Sequence, residues 1–234
     1  MSTFQRARSP EQRAQRSQAI LEVAEAMLAE MPLADISLNE LSRRVGLAKS
    51  NVLHYFESRE AVLLELVHTA TRRWLDDLAL ELDGAVDPGA SAGATNSAAT
   101  RAAGFAAAFA ASLDRHPLFC ELISAQAGVL EHNISTATAI TFKRRLNADQ
   151  GRLAALVAQV MPELDSPAAA VFAADAVIMA GALWIHTRPA PAVLAAFEAD
   201  PETRGSYRGF AEAVRDTTHT LLVGSVARAR PHQP

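Results

Sequence analysis

Side chains suited to hydrogen bonding crowd one short stretch near the start of the chain. From residue 49 to residue 55 they supply an ammonium, a hydroxyl, an amide, an imidazole and a phenol. Amide and ammonium groups can read base edges in the DNA major groove, which is wide enough to admit one helix. The predicted contacts are Lys49 and Asn51 with bases, Ser50 and His54 with a base or a phosphate, and Tyr55 with a phosphate.

Further groups on either side of this stretch suit phosphate. Ser37 and Glu40 form an S-x-x-E capping box, which marks a helix start. Arg44 and Arg59 are cations that flank the stretch. Because helix starts and cations attract anions, we predict that Ser37, Arg44 and Arg59 contact phosphates. Such contacts position a protein on DNA without reading its sequence.

Two short helices joined by a tight turn must hold these side chains. Apolar residues recur at helical spacing over 38–45, and Gly46 follows, where a left-handed backbone often ends a helix. A second short helix then covers about 49–55. We predict that Val52, Leu53 and Phe56 pack into the core beneath it. This is the build of a helix-turn-helix, whose second helix enters the major groove.

Residues 16–67 resemble the N-terminal domain of the tetracycline-repressor (TetR) family of transcription regulators. The resemblance is carried by Ile20-Leu21 and Ala24 in a first helix, Ser37-Leu38 and Leu41 in a second, Val45-Gly46-Leu47 in the turn, Lys49 to Phe56 in the recognition helix, and Ser58-Arg59-Glu60 opening a fourth helix. It implies the same DNA-contacting roles for Ser37, Lys49, Asn51, His54 and Arg59. It also implies a homodimer with a pocket that senses a small molecule.

Two positions depart from the family pattern. Leu53 stands where the family most often has a tyrosine that bonds phosphate, so that contact is lost or passes to Tyr55. Ala48 stands where a serine is usual, and a capping bond worth roughly 1 kcal/mol is therefore expected to be missing.

Composition narrows the class of protein. The chain has 234 residues, half of them apolar, which suits one or two domains with a sizeable core. Its net charge of −4 does not argue against DNA binding, because local charge decides that and arginines crowd the N-terminus. We find no apolar run long enough to span a membrane and no signal peptide. The single cysteine, Cys120, excludes an internal disulfide, so we predict a cytoplasmic protein without a membrane partner.

Helical periodicity dominates the rest of the chain, and no stretch alternates as a strand does. We predict an all-α fold with a flexible arm over 1–10, a helix-turn-helix DNA-binding domain over 11–60, and a helical ligand-binding and dimerisation domain over 61–234. Residues 84–97 are small and polar without a period, which predicts a disordered loop. Ser58 begins a long helix to about Asp83 that links the two domains.

The C-terminal helices exceed what a DNA-reading domain needs. We predict a pocket among them, although each candidate residue also fits an ordinary core role. The candidates are Phe105, Phe109, Phe142, Trp184 and His186. Apolar helices near 166–187 and 206–228 suggest the dimer surface, where the small residues Ala173, Ala180 and Gly181 would allow close approach.

Catalytic and metal-binding patterns are weak in this sequence. Cys120 has no base suggested by a motif, and a buried inert thiol is the better interpretation. His116 and Cys120 lie four residues apart, as metal ligands on a helix do, but Pro117 intervenes and no third ligand is evident. We therefore predict no catalytic residue, metal or cofactor.

The sequence thus predicts a sequence-specific DNA-binding transcription regulator, a ligand-responsive repressor that binds a double-stranded operator as a homodimer. The effector would be a small apolar molecule. A helical small-molecule-binding or adaptor protein without DNA binding is the alternative, and an enzyme is a third. Steep salt dependence of duplex binding separates the first interpretation from the second.

Overall fold

The computed structural model describes residues 10–85 and 97–229. No residue in these two ranges lies in a β-strand, which confirms the all-α prediction. Pro10 is already helical, and the rest of the predicted N-terminal arm lies outside the described residues. Most of the predicted loop over 84–97 lies outside them as well.

Ten α-helices occupy the described ranges. They are α1 (Pro10–Glu30), α2 (Leu38–Val45), α3 (Lys49–Leu53), α4 (Arg59–Ala85), α5 (Ala98–Asp114), α6 (Pro117–Ala125), α7 (Thr136–Val160), α8 (Ser166–His186), α9 (Pro191–Ala199) and α10 (Phe210–Ala229). Short 3-10 turns cover Leu33–Asp35 and Pro201–Arg204, and a π-helical turn covers Gln126–Leu130.

Local signals set most of the helix ends. The hydroxyl of Ser58 accepts a hydrogen bond from the backbone N–H of Ala61 at 3.0 Å, and the carboxylate of Asp165 accepts one from Ala168 at 2.8 Å. These bonds satisfy N–H groups that the first turn of a helix leaves free, and Ser58 is the helix start that the sequence predicts. Helix α6 gives way to the π-helical turn after Ala125, and α10 begins at Phe210 instead of near the predicted residue 206.

The described residues form two compact units. The first contains the described residues up to Thr69 together with Ala125–Arg144, and the second contains Ala70–Ser124 and the chain from Arg145 onward. The predicted boundary after residue 60 differs from this division. Helix α4 runs through the boundary without interruption, so its sequence pattern shows no break there. No local sequence signal indicates that Ala125–Arg144 belongs to the first unit.

Aromatic side chains fill the core of the second unit. The indole of Trp74 stacks on Phe119 with ring centroids 4.7 Å apart and meets the edge of Phe109 at 5.5 Å. Its N–H donates to the hydroxyl of Ser112 at 3.0 Å, which satisfies a polar group that is otherwise buried. Phe105 stacks on Phe109 in turn, so α4, α5 and α6 share one aromatic cluster.

Helix α8 corrects two predictions. By length and composition, Ser166–His186 is long enough and apolar enough to cross a membrane, so the expectation that no such run exists was wrong. A core helix of a soluble protein passes the same test, and α8 is partly buried within the chain.

The second correction concerns the small residues of α8. Ala173, Ala180 and Gly181 are buried inside the chain and so are not on the outer surface predicted for dimerisation. A Cβ atom on Gly181 would lie 3.4 Å from backbone atoms of Ile123 and Ser124 in α6. Close approach does occur at Gly181, but it joins α8 to α6 within one chain. Both faces of α8 are apolar, so the sequence does not show which face the chain itself covers.

Candidate nucleic-acid interface

The turn between α2 and α3 has the predicted geometry. Gly46 adopts φ 72° and ψ 30°, a left-handed conformation that suits glycine because it has no Cβ. The N–H of Leu47 donates to the carbonyl of Ser42 at 3.0 Å and closes the end of α2. At the other end, the Ser37 hydroxyl accepts from the N–H of Glu40 at 3.2 Å, which confirms the predicted cap.

The recognition helix α3 is short and presents its polar face outward. Val52 is fully buried and packs the five-residue helix onto the unit. Lys49, Ser50 and Asn51 are exposed, and their side chains make no hydrogen bond or ion pair within the part of the chain that the structure describes. Ala48, before the helix, makes no side-chain capping bond, as expected. Three hydrogen-bonding side chains are therefore available to a partner.

Leu53 was predicted to be core, and that prediction was wrong. Its side chain is 41% exposed, whereas Phe56 is half-buried. A helix of this length has one inward face, and Val52 occupies it. The helix also ends at Leu53 instead of continuing to Tyr55, whose N–H donates to the carbonyl of Val52 in a turn at 2.9 Å.

Arg13 of α1 supports the end of this helix. Its guanidinium lies 5.8 Å from the centroid of the Tyr55 ring and donates to the backbone carbonyl of His54 at 3.4 Å. The His54 and Tyr55 rings meet edge to face at 5.6 Å. The sequence showed Arg13 only as one of several N-terminal cations, because a contact across 41 residues leaves no local signal.

Arg44 is held by two carboxylates. Its Nε donates to Glu40 at 2.8 Å and its Nη1 to Glu30 at 2.5 Å. Hydrogen bonds from Arg43 and Arg44 lower the pKa of Glu40 to about 2. The carboxylate of Glu40 is thus committed to these arginines, and a phosphate would have to share Arg44 with them.

Arg59 is also engaged within the first unit. Its Nη1 donates to the backbone carbonyl of Ile36 at 3.0 Å, and its Nε donates to Glu60 at 3.2 Å. Ile36 is buried, so the guanidinium satisfies a carbonyl next to the start of α2. This bond ties the first turn of α4 to the residue before the Ser37 cap.

Glu57, which follows the recognition helix, caps a distant helix. Its Oε1 accepts a hydrogen bond from the N–H of Ser135 at 2.7 Å, just before α7. This bond, with others from the hydroxyls of Thr138 and Ser135, lowers the pKa of Glu57 below its ordinary value of 4.5. Helix starts favour carboxylates. The two residues are 78 positions apart, so the sequence gave no sign of the contact.

The predicted ligand residues have different surroundings. Phe105 and Phe109 are buried and stack on each other with ring centroids 5.8 Å apart. Trp184 is also buried in the second unit, whereas His186 is exposed. Phe142 is buried and belongs to the first unit. Phe105 and Phe109 are therefore the pair that the structure brings into contact.

Cys120 and His116, the residues considered for catalysis or metal binding, have surroundings that suit a structural role. Burial raises the pKa of the Cys120 thiol to about 12, which disfavours the reactive thiolate. Nε2 of His116 lies 2.9 Å from a carboxylate oxygen of Asp77. Across residues 10–85 and 97–229, no three His, Cys, Asp or Glu side chains come together as metal ligands would.

Known proteins match this chain in sequence. A family model described as bacterial regulatory proteins, tetR family, matches residues 20–66. The HTH-type transcriptional regulator EthR of Mycobacterium tuberculosis is 41% identical over 66 residues, which are 28% of this chain and 30% of EthR. The matched segments span about a third of the length of the curated relatives, at 30% and 34%.

Solved structures match the fold over nearly the whole chain. The fatty acid degradation regulator FadR from Bacillus halodurans has a TM-score of 0.53 at 14% identity, covering 94% of this chain and 97% of FadR. A TetR transcriptional regulator from Rhodococcus sp. RHA1 has a TM-score of 0.50 at 16% identity, covering 91% of this chain and 98% of that one. Another family model, for the tetracyclin repressor-like C-terminal domain, matches residues 68–229. Because that model covers more than half of the sequence and the N-terminal model adjoins it, the chain belongs to the TetR family of bacterial regulatory proteins.

Proposed function

We propose that the protein is a sequence-specific DNA-binding transcription regulator whose α3 enters the major groove. The observation that carries this proposal is the outward face of α3. Lys49, Ser50 and Asn51 are exposed and have no side-chain partner among the described residues, while Val52 fixes the helix from beneath. An amide and an ammonium held in this way can bond base edges without first breaking internal contacts.

We propose a homodimer that uses the outer faces of α8 and α10. Val171, Ile178 and Ile185 of α8 are 55%, 66% and 57% exposed and are spaced seven residues apart on one face. Val223 of α10, which packs beside α8, is 44% exposed. A second copy would remove this apolar stripe from water. Two recognition helices would then meet half-sites about 34 Å apart, or a multiple of that distance.

We further propose that a small apolar molecule controls DNA binding. We also propose that the regulator is a repressor of transcription and is located in the cytoplasm. The aromatic cluster around Phe105 and Phe109 offers the apolar contacts that such an effector needs. The effector acts only if it binds the DNA-competent and incompetent states with different affinities. A reporter gene placed behind the operator distinguishes repression from activation.

Selection of bound duplexes from random DNA tests the central proposal. We expect one near-palindromic sequence to be enriched, and its affinity to fall steeply as salt rises, since each neutralised phosphate releases counterions. A scrambled duplex of equal length serves as the control. Equal affinity for both duplexes would contradict sequence-specific binding. Absence of salt-dependent duplex binding would favour a helical ligand-binding or adaptor protein.

A further inference from the structure

The carboxylate of Glu57 joins two segments of the first unit that are far apart in the sequence. Glu57 lies in the short connection between the recognition helix α3 and helix α4. Its carboxylate accepts hydrogen bonds from the N–H of Ser135, just before α7, and from the hydroxyls of Ser135 and Thr138. Three donors at the start of α7 therefore converge on one carboxylate.

The start of α7 contains only half of a capping box. The Ser135 hydroxyl accepts the N–H of Thr138 at 3.2 Å, as the first residue of such a box does. In a complete box the residue three positions later is Glu or Gln, and its side chain accepts the N–H of the first residue. Thr138 stands at that position, and its hydroxyl bonds to the Ser135 hydroxyl at 3.2 Å. Glu57, 78 residues earlier in the chain, supplies the carboxylate that the box lacks.

The residues on both sides of Glu57 are fixed by bonds of their own. Before it, the N–H groups of Tyr55 and Phe56 donate to the carbonyl of Val52 at 2.9 and 3.0 Å and close the end of α3. After it, the Ser58 hydroxyl accepts the N–H that begins α4. One residue therefore separates the last turn of the recognition helix from the cap of α4, and its carboxylate is bonded to α7.

The start of α7 is also held by contacts that do not involve Glu57. We call Ala125–Arg144, which belongs to the first unit, the brace. The Glu131 carboxylate accepts from the side chain of Gln126 at 2.9 Å and from Lys143 at 2.6 Å, which joins the π-helical turn to α7. Leu130 and Phe142 of the brace are buried. The brace is therefore an ordered part of the unit to which Glu57 can fix the end of α3.

We infer that Glu57 is a positioning residue for DNA recognition, because completing the cap of α7 fixes the end of α3 to the brace. Of the five described residues of α3, Val52 alone is buried, and so short a helix is not stable without contacts from outside it. Holding Lys49, Ser50 and Asn51 in place before binding saves the free energy of ordering them on DNA. This inference rests on the proposed entry of α3 into the major groove.

The charge of Glu57 makes this role distinguishable from that of an ordinary surface residue. Glu57 is exposed, and a carboxylate next to a DNA-reading helix repels phosphates. If repulsion were its only effect, replacement of Glu57 would strengthen binding to every duplex alike. Loss of a positioning residue would instead weaken binding to the selected duplex relative to a scrambled one. The ratio of the two affinities therefore separates the two roles.

Fluorescence titration of the selected and scrambled duplexes tests the inference. Glu57→Ala removes the link, and Glu57→Gln is the conservative variant, since glutamine can also complete a capping box. Glu198→Ala, which removes an exposed carboxylate from α9, is the control for the change in net charge. We expect the affinity ratio to fall about tenfold for Glu57→Ala, the size of one base contact, to fall less for Glu57→Gln, and to stay within about twofold for Glu198→Ala.

The double variant Glu57→Ala/Thr138→Glu separates positioning from the capping of α7. A glutamate at position 138 completes the capping box within α7, so the urea midpoint should return to the wild-type value while α3 stays unlinked. We expect the affinity ratio to remain as low as in Glu57→Ala. Recovery of the ratio together with the midpoint would overturn the positioning role, because Glu57 would then act only through the stability of α7.

Amide hydrogen exchange of Tyr55 and Phe56 provides a measurement without DNA. We expect faster exchange in the double variant than in the wild type, since the end of α3 would have lost its link to the brace. Equal exchange rates, or an unchanged affinity ratio in Glu57→Ala beside a selective wild type, would overturn the role of Glu57 and leave α3 as the reading helix. A wild type that binds both duplexes equally would overturn the proposed function and the role of Glu57 together.

Discussion

The polar side chains of the proposed DNA interface differ in how firmly other residues of the chain already hold them. Asn51 is exposed and has no side-chain partner among the described residues. Arg59 is bonded to Ile36 and Glu60, and Arg44 is bonded to Glu40 and Glu30. Replacement of Asn51 should therefore change only the recognition of DNA. Replacement of Arg59 should also lower the stability of the folded chain.

Replacement of Asn51 by alanine should reduce sequence selectivity. We expect Asn51→Ala to lose about 1–3 kcal/mol of affinity for the selected duplex and almost none for a scrambled one, because a base contact disappears while phosphate contacts remain. Asn147→Ala, an exposed amide on α7, is the control. Fluorescence titration of both duplexes measures the effect. Equal losses on the two duplexes would assign Asn51 to phosphate contact instead.

Replacement of Arg59 by alanine should lower stability as well as DNA affinity. The carbonyl of buried Ile36 would lose its charged donor, so we expect Arg59→Ala to lower the free energy of unfolding by about 1–3 kcal/mol. Urea denaturation measures this change. Lys49→Ala, which removes an exposed cation with no side-chain partner in the described chain, is the control and should unfold like the wild type. An unchanged urea midpoint for Arg59→Ala would mean that the hydrogen bonds of Arg59 to Ile36 and Glu60 contribute nothing to stability.

Glu57 should make stability depend on pH in acid. Its pKa lies below the ordinary 4.5 in the folded chain, so the unfolded state takes up a proton first as pH falls. The cap therefore stabilises the fold fully above pH 4.5, and this contribution is lost as pH falls through the lowered pKa. We expect Glu57→Gln to be less stable than the wild type at neutral pH. The difference in stability should shrink as the pH falls below 4.5. Urea melts at several pH values, with Glu212→Gln as the control, check this. A difference independent of pH would contradict it.

Among the elements, the turn of the helix-turn-helix depends on one backbone conformation. A Cβ on Gly46 would meet no atom within 4 Å, so the cost of Gly46→Ala is the left-handed backbone alone, about 1 kcal/mol. Gly104 inside α5 is equally open, but it is helical, and Gly104→Ala should therefore stabilise by up to about 1 kcal/mol. Thermal unfolding of the two variants should move in opposite directions. Movement in the same direction would contradict the backbone explanation.

Helices, caps and the turn were predictable because their signals are local. Ser37, Gly46, Ser58 and Asp165 act on atoms within a few residues of themselves. Contacts between distant segments were not predictable, and the bond from Ser135 to Glu57 is an example. For Leu53 and α8 the apolar residues were evident, but the inward face was not. A helix that is apolar on both sides does not show which side its own chain will cover.

Burial within one chain leaves α8 with an apolar stripe on its outer face. If that stripe joins two copies, Ile178→Glu should bind the selected duplex far more weakly than the wild type, since one recognition helix alone reads a single half-site. The loss should be greatest at low protein concentration. Gel-shift titration measures it, with Ile140→Glu as the control for an added surface charge. Wild-type affinity in Ile178→Glu would show that pairing does not depend on α8.

Gly181 leaves room for a methyl group and little else between two helix backbones. Alanine would fit there at ordinary contact distance, but the branched carbons of valine would collide with Ile123 and Ser124. Such a wedge would tilt α8 and carry its outward side chains with it. If the proposed dimer uses those side chains, a change at buried Gly181 would weaken the pairing of two copies without altering any residue of their proposed shared surface.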